Sequence, residues 1–198
     1  GVTVVNFLSE WAEVEVRRDG HVYQQEYERG VATGDVQRIG KSDRVGTKTT
    51  FKPDPQIFPV TKFTYNTLHK RLQELAFLNQ GVKIVFRDER TDEGETFQYD
   101  DGIREFVQFL TRASEPAHPE IISIDGKFDN VRLEIAIQYS AEFTENVHSY
   151  VNNICTIEGG THVSGFRAAL TRTLNNYGKK ENLFKQIVPS GDDFREGL

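Results

Sequence analysis

The chain has 198 residues, of which 37% are hydrophobic and 27% are charged, and its formal net charge is -6 at pH 7. This composition is typical of an ordinary globular protein with one large domain or two small ones. Residues 1–101 carry 14 basic and 17 acidic side chains, and residues 102–198 carry 10 and 13. Neither half is therefore a basic nucleic-acid module, and any contact with a polyanion must come from a local patch.

Cys155 is the only cysteine, which excludes an intrachain disulfide and fits a reducing compartment. We interpret it as a small, half-buried residue at the end of a strand rather than a reactive thiol. No segment approaches the ~18 apolar residues of a membrane span, and no secretory leader is visible. We therefore expect a cytoplasmic protein. The chain lacks methionine altogether, so we expect a piece of something longer.

The first half of the sequence alternates between the periodicities of helices and strands. Asp19-Gly20 separates two alternating runs and predicts a β-hairpin. One side of a predicted helix over 64–79 carries four leucines that should face the core: Leu68, Leu72, Leu75 and Leu78. The other predicted elements are a helix over 1–8, strands within 14–27, a polar connection over 29–44, and strands over 46–51, 82–87 and 96–99.

We place a domain boundary near Asp101-Gly102, where Asp101 can cap a helix over 103–110. Strands follow over 121–125, 131–139 and 147–154, joined by turns at 126–130 and 140–146. The strand over 131–139 alternates between apolar and polar side chains, which predicts a sheet with one wet face. Both halves mix strands and helices, so the expected class is α+β, with helices on one side of mostly antiparallel two-layer sheets.

A long helix is predicted to begin after Gly159-Gly160, with Thr161 as N-cap and Gly178 as C-cap. Its apolar stripe consists of Val163, Phe166, Leu170, Leu174 and Tyr177. Residues 159–180 contain no Asp or Glu, so four charges have no acidic neighbour in the stretch: Arg167, Arg172, Lys179 and Lys180. A basic helix in an acidic protein indicates a polyanion site. The alternative is a buried helix with solvated basic residues, in which Arg167 binds a carboxylate within the fold.

The same stretch, GGTHVSGFRAALTR, resembles the transducer helix of the B subunits of DNA gyrase, a family of ATPase subunits in bacterial type IIA topoisomerases. Other segments resemble the family in the same order and cover nearly the whole chain: GVTVVNFLSEWAEVEV, DRVGTKTTFKPDPQIF, RLQELAFLNQGVKIVFRDER, DDGIREFVQFL and YVNNICTIEGGTH. The related topoisomerase IV subunit is the second choice, although ELAFLNQG is more similar to gyrase. A stand-alone binding module of the same fold is a further alternative.

The resemblance implies two parts. Residues 1–101 would form the C-terminal portion of a GHKL-type ATPase domain, the fold shared with heat-shock chaperones, histidine kinases and mismatch-repair proteins. Residues 102–198 would form a truncated transducer domain, whose fold is like that of domain two of ribosomal protein S-five. The transducer relays nucleotide state to the DNA-gating parts of the enzyme. The whole enzyme couples ATP hydrolysis to DNA strand passage and negative supercoiling.

The resemblance also implies site residues. Gly1 and Val2 match the last glycine of the ATP lid and the residue after it, where helix N–H groups hold phosphate. Thr47 matches a threonine that contacts the adenine end of the nucleotide. Arg167 matches an arginine facing the cavity through which a DNA duplex passes, where it would contact phosphates without reading sequence.

The family's catalytic groups are expected outside this chain. The general-base glutamate, the magnesium-binding asparagine and the adenine-binding aspartate would all precede it, and the lysine that reaches the γ-phosphate would follow it. We therefore expect no catalytic residue, no metal ligand and no ATP turnover from this chain alone. ATP and magnesium would bind the full-length protein, with none bound to this piece. The implied partners are DNA, the gyrase A subunit, and a second copy of the B subunit.

Overall fold

A computed structural model describes all 198 residues, which divide into two compact units, Gly1–Thr64 and Tyr65–Leu198. Both units combine helices with antiparallel strands, which confirms the α+β class. The units divide at residue 64 and not near residue 101, because the helix that follows Thr64 packs on the helix that begins at Ile103. Whether residues 1–101 and 102–198 belong to different parent domains stays a prediction. No helix has the length and apolar character to cross a membrane.

The first unit is a single antiparallel sheet preceded by a short helix. Its elements are α1 (Val2–Phe7), β1 (Ser9–Arg18), β2 (His21–Glu28), β3 (Val31–Ala32), β4 (Gln37–Lys41) and β5 (Gly46–Pro53). The strand order is β3-β2-β1-β5, and β4 also pairs with β2. Asp19 and Gly20 have φ of 52° and 75°. Positive φ at both positions is what a tight hairpin turn requires, so the predicted hairpin is confirmed.

The segment predicted as a polar connection over 29–44 is wrong in part, because it contains β3 and β4. Both are short edge strands that pair with β2 through their backbones. All their residues are exposed. An edge strand exposed on both faces needs no apolar alternation, so the sequence pattern carried no strand signal there.

A buried aspartate, Asp54, lies where the end of α1, the turn after β2 and the end of β5 meet. Asp54 is 1% exposed, and it accepts hydrogen bonds from Arg29 Nε at 2.7 Å and from the backbone N–H of Gln56 at 2.8 Å. Its own backbone N–H donates to the carbonyl of Leu8 at 3.1 Å. The Gln56 N–H, with help from Arg29, lowers the pKa of Asp54 against the effect of burial. The Asp54 backbone thus contacts the end of α1, and its carboxylate joins Arg29, after β2, to the end of β5.

The second unit contains three helices and three separate two-stranded hairpins. Its elements are α2 (Tyr65–Leu78), β6 (Ile84–Asp88), β7 (Glu93–Phe97), α3 (Ile103–Thr111), β8 (Ile122–Phe128), β9 (Val131–Ile137), β10 (Tyr150–Val151), β11 (Ile154–Cys155), α4 (Thr161–Lys180) and a 3-10 turn (Asp193–Arg195). The single strand predicted over 147–154 is wrong, because Asn152 and Asn153 turn the chain with φ of 50° and 65°. The turn predicted at 126–130 is shorter, because β8 continues to Phe128.

Aromatic rings form the centre of this unit. The ring of Phe77 stacks on Tyr99 with centroids 3.6 Å apart and on Phe106 with centroids 4.9 Å apart. Ala76 and Phe77 are the fully buried residues of α2. The leucine face predicted for the core, including Leu72 and Leu75, is only half-buried. Successive helix residues are about 100° apart, so the buried face is rotated by roughly one residue from the predicted one.

Four further predictions of local structure are wrong: the two caps of the long helix, the Asp101 cap and the burial of Cys155. Gly160 precedes α4 as its N-cap, so Thr161 is the first helical residue, and Gly178 lies inside the helix. A Cβ at position 178 would overlap the ring of Phe184, so the glycine permits close packing and does not end the helix. Gly102 precedes α3, and no side chain caps that helix. Cys155 is exposed and not half-buried.

Candidate functional site

The residues matched to the ATP lid lie at the start of α1. The carbonyl of Gly1 accepts the backbone N–H groups of Val4 at 3.0 Å and Val5 at 3.2 Å. The N–H groups of Val2 and Thr3 precede any intrahelical acceptor, and no side chain caps the helix. These exposed N–H groups can donate to an anion, but a helix of six residues gives only a small dipole.

Thr47 lies elsewhere on the sheet of the first unit. It is an exposed residue of β5 opposite Val16 on β1. Val16 is seven residues along β1 from Ser9, which corresponds to roughly 20 Å of extended strand. The structure therefore places Gly1 and Val2 before β1 begins and Thr47 near the opposite end of β1. No hydrogen bond joins the two predicted nucleotide contacts.

Arg167 has an acidic partner. Its Nε donates to Oε1 of Glu145 at 2.8 Å, and its side chain is 43% exposed. The other carboxylate oxygen, Oε2, accepts a hydrogen bond from Nε of Arg195 at 3.3 Å. The expectation of four uncompensated charges is therefore wrong for Arg167. The partner lies 22 residues earlier in the sequence, outside the acid-free stretch.

The remaining donors of Arg167 stay available. Its Nη1 and Nη2 groups form no hydrogen bond within the chain. They can bind an oxyanion, and arginine does so in a planar, two-pronged geometry. Arg172, Lys179 and Lys180 are exposed and make no ion pair. Arg172 lies about 140° around α4 from Arg167, so the two arginines point in different directions.

Arg195 belongs to the 3-10 turn near residue 193. The turn begins with reciprocal capping: the Ser190 N–H donates to Asp193 Oδ2 at 2.7 Å, and the Asp193 N–H donates to Ser190 Oγ at 3.3 Å. Sequence reasoning missed Glu145 and Arg195 as neighbours of Arg167. Glu145 and Arg195 are 50 residues apart, and no local pattern connects either of them with Arg167.

The chain provides no cluster suited to a metal ion. No group of three or more His, Cys, Asp or Glu side chains converges on one point. The histidines have separate partners: His69 Nε2 lies 2.6 Å from Glu95 Oε2, and His118 Nδ1 lies 2.6 Å from the carbonyl of Glu120. His118 Nε2 also accepts the Tyr139 N–H at 3.0 Å, so both histidines are held by hydrogen bonds within the fold.

Comparison with known proteins identifies the family. The whole chain is 50% identical over 201 residues to the B subunit of DNA gyrase from Clostridium acetobutylicum, of which it covers 32%. It is 46% identical over 206 residues to the B subunit of DNA gyrase from Thermotoga maritima, again covering 32% of that protein. The sequence profile of the DNA gyrase B family matches residues 102–198. The chain belongs to the family of DNA gyrase B subunits.

The fold agrees with this membership. The chain superposes on the 43K ATPase domain of Thermus thermophilus gyrase B, crystallised with an aminocoumarin, with a TM-score of 0.84 and 36% identity. That match covers 98% of this chain and 54% of the other. The B subunit of Myxococcus xanthus gyrase gives a TM-score of 0.79 with 26% identity, over 87% of this chain and 51% of that one. The chain spans about a third of the length of the curated gyrase B relatives described above.

Proposed function

We propose that this chain is part of the ATPase subunit of a DNA gyrase, a type IIA topoisomerase that couples ATP hydrolysis to DNA strand passage and negative supercoiling. The observation that carries the proposal is 50% identity to a gyrase B subunit across the whole chain. This similarity to gyrase proteins favours the function over topoisomerase IV and over a stand-alone module. In the complete enzyme the chain would act in the cytoplasm with DNA, the A subunit, and a second copy of the B subunit.

Under this proposal, part of the nucleotide-binding site lies in this chain. ATP with magnesium would be the cofactor of the complete subunit. The N–H groups at Val2, after Gly1, are suited to phosphate, and the exposed hydroxyl of Thr47 is suited to a polar contact with the base or its water. Side chains for a metal ion do not converge in this chain. The proposal assigns this chain no metal ligand and no catalytic residue.

The proposal gives DNA a contact at Arg167. Its free Nη groups and its partly exposed side chain support a phosphate contact. The ion pair with Glu145 supports the alternative of a purely structural arginine. The ion pair is nevertheless compatible with a phosphate contact, because its hydrogen bond is made by Nε and not by the Nη groups.

Supercoiling activity tests the assignment to gyrase. The complete B subunit that carries this chain, reconstituted with its A subunit, should introduce negative supercoils into relaxed plasmid only when ATP is present. A reaction without ATP and one without the A subunit serve as controls. ATP-dependent relaxation without any negative supercoiling would favour topoisomerase IV, and absence of both activities from a folded complex would contradict the proposal.

Arg167→Gln in the complete enzyme tests the DNA contact. We expect weaker supercoiling and weaker DNA-stimulated ATP hydrolysis, because one phosphate contact is lost. The log–log salt slope of DNA stimulation should fall by about one. Basal ATP hydrolysis should stay unchanged. Arg172→Gln removes the same charge from another side of α4, so equal damage by both variants would show a general charge effect and contradict the role of Arg167.

A further inference from the structure

A single carboxylate lies between two arginines from different elements. Glu145 accepts Nε of Arg167 on α4 with one oxygen, at 2.8 Å, and Nε of Arg195 in the 3-10 turn with the other, at 3.3 Å. The side chains of Glu145 and Arg195 are 25% and 15% exposed, against 43% for Arg167. Glu145 and Arg195 are thus the more enclosed members, and Arg167 is the member most open to solvent.

The ion pair engages only part of the Arg167 guanidinium. Glu145 accepts a hydrogen bond from Nε, and the two Nη groups form no hydrogen bond within the chain. A guanidinium carries five N–H donors in one rigid plane. A bond at Nε therefore fixes the direction of the four donors on the Nη groups. Two parallel N–H donors on the free edge match two oxygens of a phosphate.

The loop that carries Glu145 is itself held at both ends. The Ser140 N–H donates to the carbonyl of Gly197 at 2.8 Å, and the Asn146 N–H donates to the carbonyl of Leu198 at 2.6 Å. Glu145 is thus adjacent to a backbone position fixed by the segment that also carries Arg195. Its carboxylate is placed by the tertiary structure before any ligand arrives.

We propose that Glu145 is a positioning residue for DNA: it holds Arg167 by Nε and directs the free Nη edge toward a duplex phosphate. Arg195 occupies the second carboxylate oxygen, so that Glu145 offers less uncompensated negative charge to the phosphate. An arginine oriented in advance loses less conformational freedom when it binds. This inference rests on the proposed DNA contact of Arg167 and adds the residue that makes that contact geometrically defined.

The opposite role for Glu145 would be a mask that competes with phosphate for Arg167. A mask would be expected to occupy the Nη edge that phosphate needs. The observed contact is at Nε and leaves that edge free. The two roles also predict opposite effects of removing the charge, because unmasking would strengthen DNA binding and loss of positioning would weaken it.

The test is Glu145→Gln in the complete enzyme, which keeps the shape of the side chain and removes its charge. We expect the DNA concentration for half-maximal ATPase stimulation to rise about three- to tenfold, the range for one net hydrogen bond. The log–log salt slope should fall by about one, as for loss of one phosphate contact. Basal kcat and the KM for ATP should stay unchanged, which a general folding defect would not allow.

Three further variants sharpen the test. Glu158→Gln removes an exposed carboxylate near α4 that makes no ion pair, and it should leave DNA stimulation unweakened. The double variant Glu145→Gln/Arg167→Gln should be no worse than Arg167→Gln, because Glu145 acts through Arg167. Glu145→Asp keeps the charge and should retain more of the stimulation than Glu145→Gln. This variant also tests the inference if Glu145→Gln does not fold.

The outcomes separate the inference from the proposed function. If Arg167→Gln weakens DNA stimulation but Glu145→Gln strengthens it or has no effect, the positioning role is overturned and the DNA contact stands. Full additivity in the double variant would likewise overturn positioning. If Arg167→Gln leaves DNA stimulation unchanged, the DNA contact itself is overturned, and the positioning role with it.

Discussion

The two compact units bury very different interiors. The buried hydrophobic residues of the chain are Ala12, Ala76, Phe77, Phe97, Phe106, Ile121, Ile137 and Val163. Of these, only Ala12 belongs to the unit Gly1–Thr64. That unit instead buries two polar residues, Ser9 and Asp54, at 1% exposure each. The second unit thus has an apolar core, and the first unit does not.

The difference shows two ways in which one chain orders its backbone. In the first unit, β1 pairs with β2 and β5 along nearly its whole length, and Asp54 connects α1 to the end of β5. In the second unit each named strand pairs only with the other strand of its hairpin. Stacked rings such as Phe77 and Phe106 pack the helices together. Main-chain pairing dominates the first unit and side-chain burial dominates the second. Each prediction below tests one side of this contrast.

The largest effect is expected for Phe77→Ala in the second unit. Phe77 is 2% exposed, and truncation of a buried phenylalanine costs about 3–5 kcal/mol. Hydrogen exchange should show this loss in the amides of α2 and α3. Phe128→Ala, at a site 80% exposed, should change stability by less than about 0.5 kcal/mol. Equal loss of protection in β1 and β5 would show that the apolar cluster supports both units, and the contrast would fail.

A smaller effect is expected for Gly178→Ala within α4. The new methyl group would overlap the ring of Phe184, and overpacking of this kind costs about 1–3 kcal/mol. Gly165→Ala is the matched control, because it lies in the same helix with open space at its Cβ position. Alanine should stabilise that site by about 0.5–1 kcal/mol. Urea midpoints of the two variants should therefore shift in opposite directions, and two shifts of the same sign would contradict the packing of Phe184 on Gly178.

The smallest effect is expected in acid, where each unit contains a buried carboxylate paired with arginine. Hydrogen bonds from Arg90 lower the pKa of Asp88 from 3.8 to about 2, and the Gln56 N–H with Arg29 lowers that of Asp54. A lowered folded-state pKa means that the stabilisation is present above the unfolded pKa near 4. It is lost as pH falls toward the folded value. Urea midpoints should fall from pH 4 to 2.

Single substitutions separate the two carboxylates. Asp88→Asn should remove part of the dependence of stability on pH. Its structural effect should stay local, because its partner Arg90 is only two residues away. Asp54→Asn should also loosen the turn at Arg29, because the carboxylate joins this turn to the end of β5, 25 residues away. Asp35→Asn, at an exposed carboxylate without an ion pair, is the control. If Asp35→Asn reduces the pH dependence of the urea midpoint as much as Asp88→Asn or Asp54→Asn does, the buried carboxylates are not the source of that dependence.

The candidate site was only partly predictable from the sequence. The similarity of GGTHVSGFRAALTR to the gyrase family led to Arg167, but composition within residues 159–180 wrongly left its charge uncompensated. The compensating carboxylate of Glu145 lies in the loop after β9, and Arg195 lies beyond α4. A count of charges within one helix cannot see partners that tertiary packing brings in. The roles of Gly1, Val2 and Thr47 were assigned from the resemblance to the family, and they stay predictions.

The sequence by itself determined the features that depend on neighbours a few residues apart. The Asp19-Gly20 hairpin, the presence of the helix α4 and the apolar periodicity of α2 follow from backbone preferences and local spacing. Only the tertiary structure decided which side of α2 is buried, that Gly178 accommodates Phe184, and that β4 pairs with β2. Each of these depends on a surface supplied by a distant segment. Burial and close packing are properties of two surfaces together, and periodicity describes only one of them.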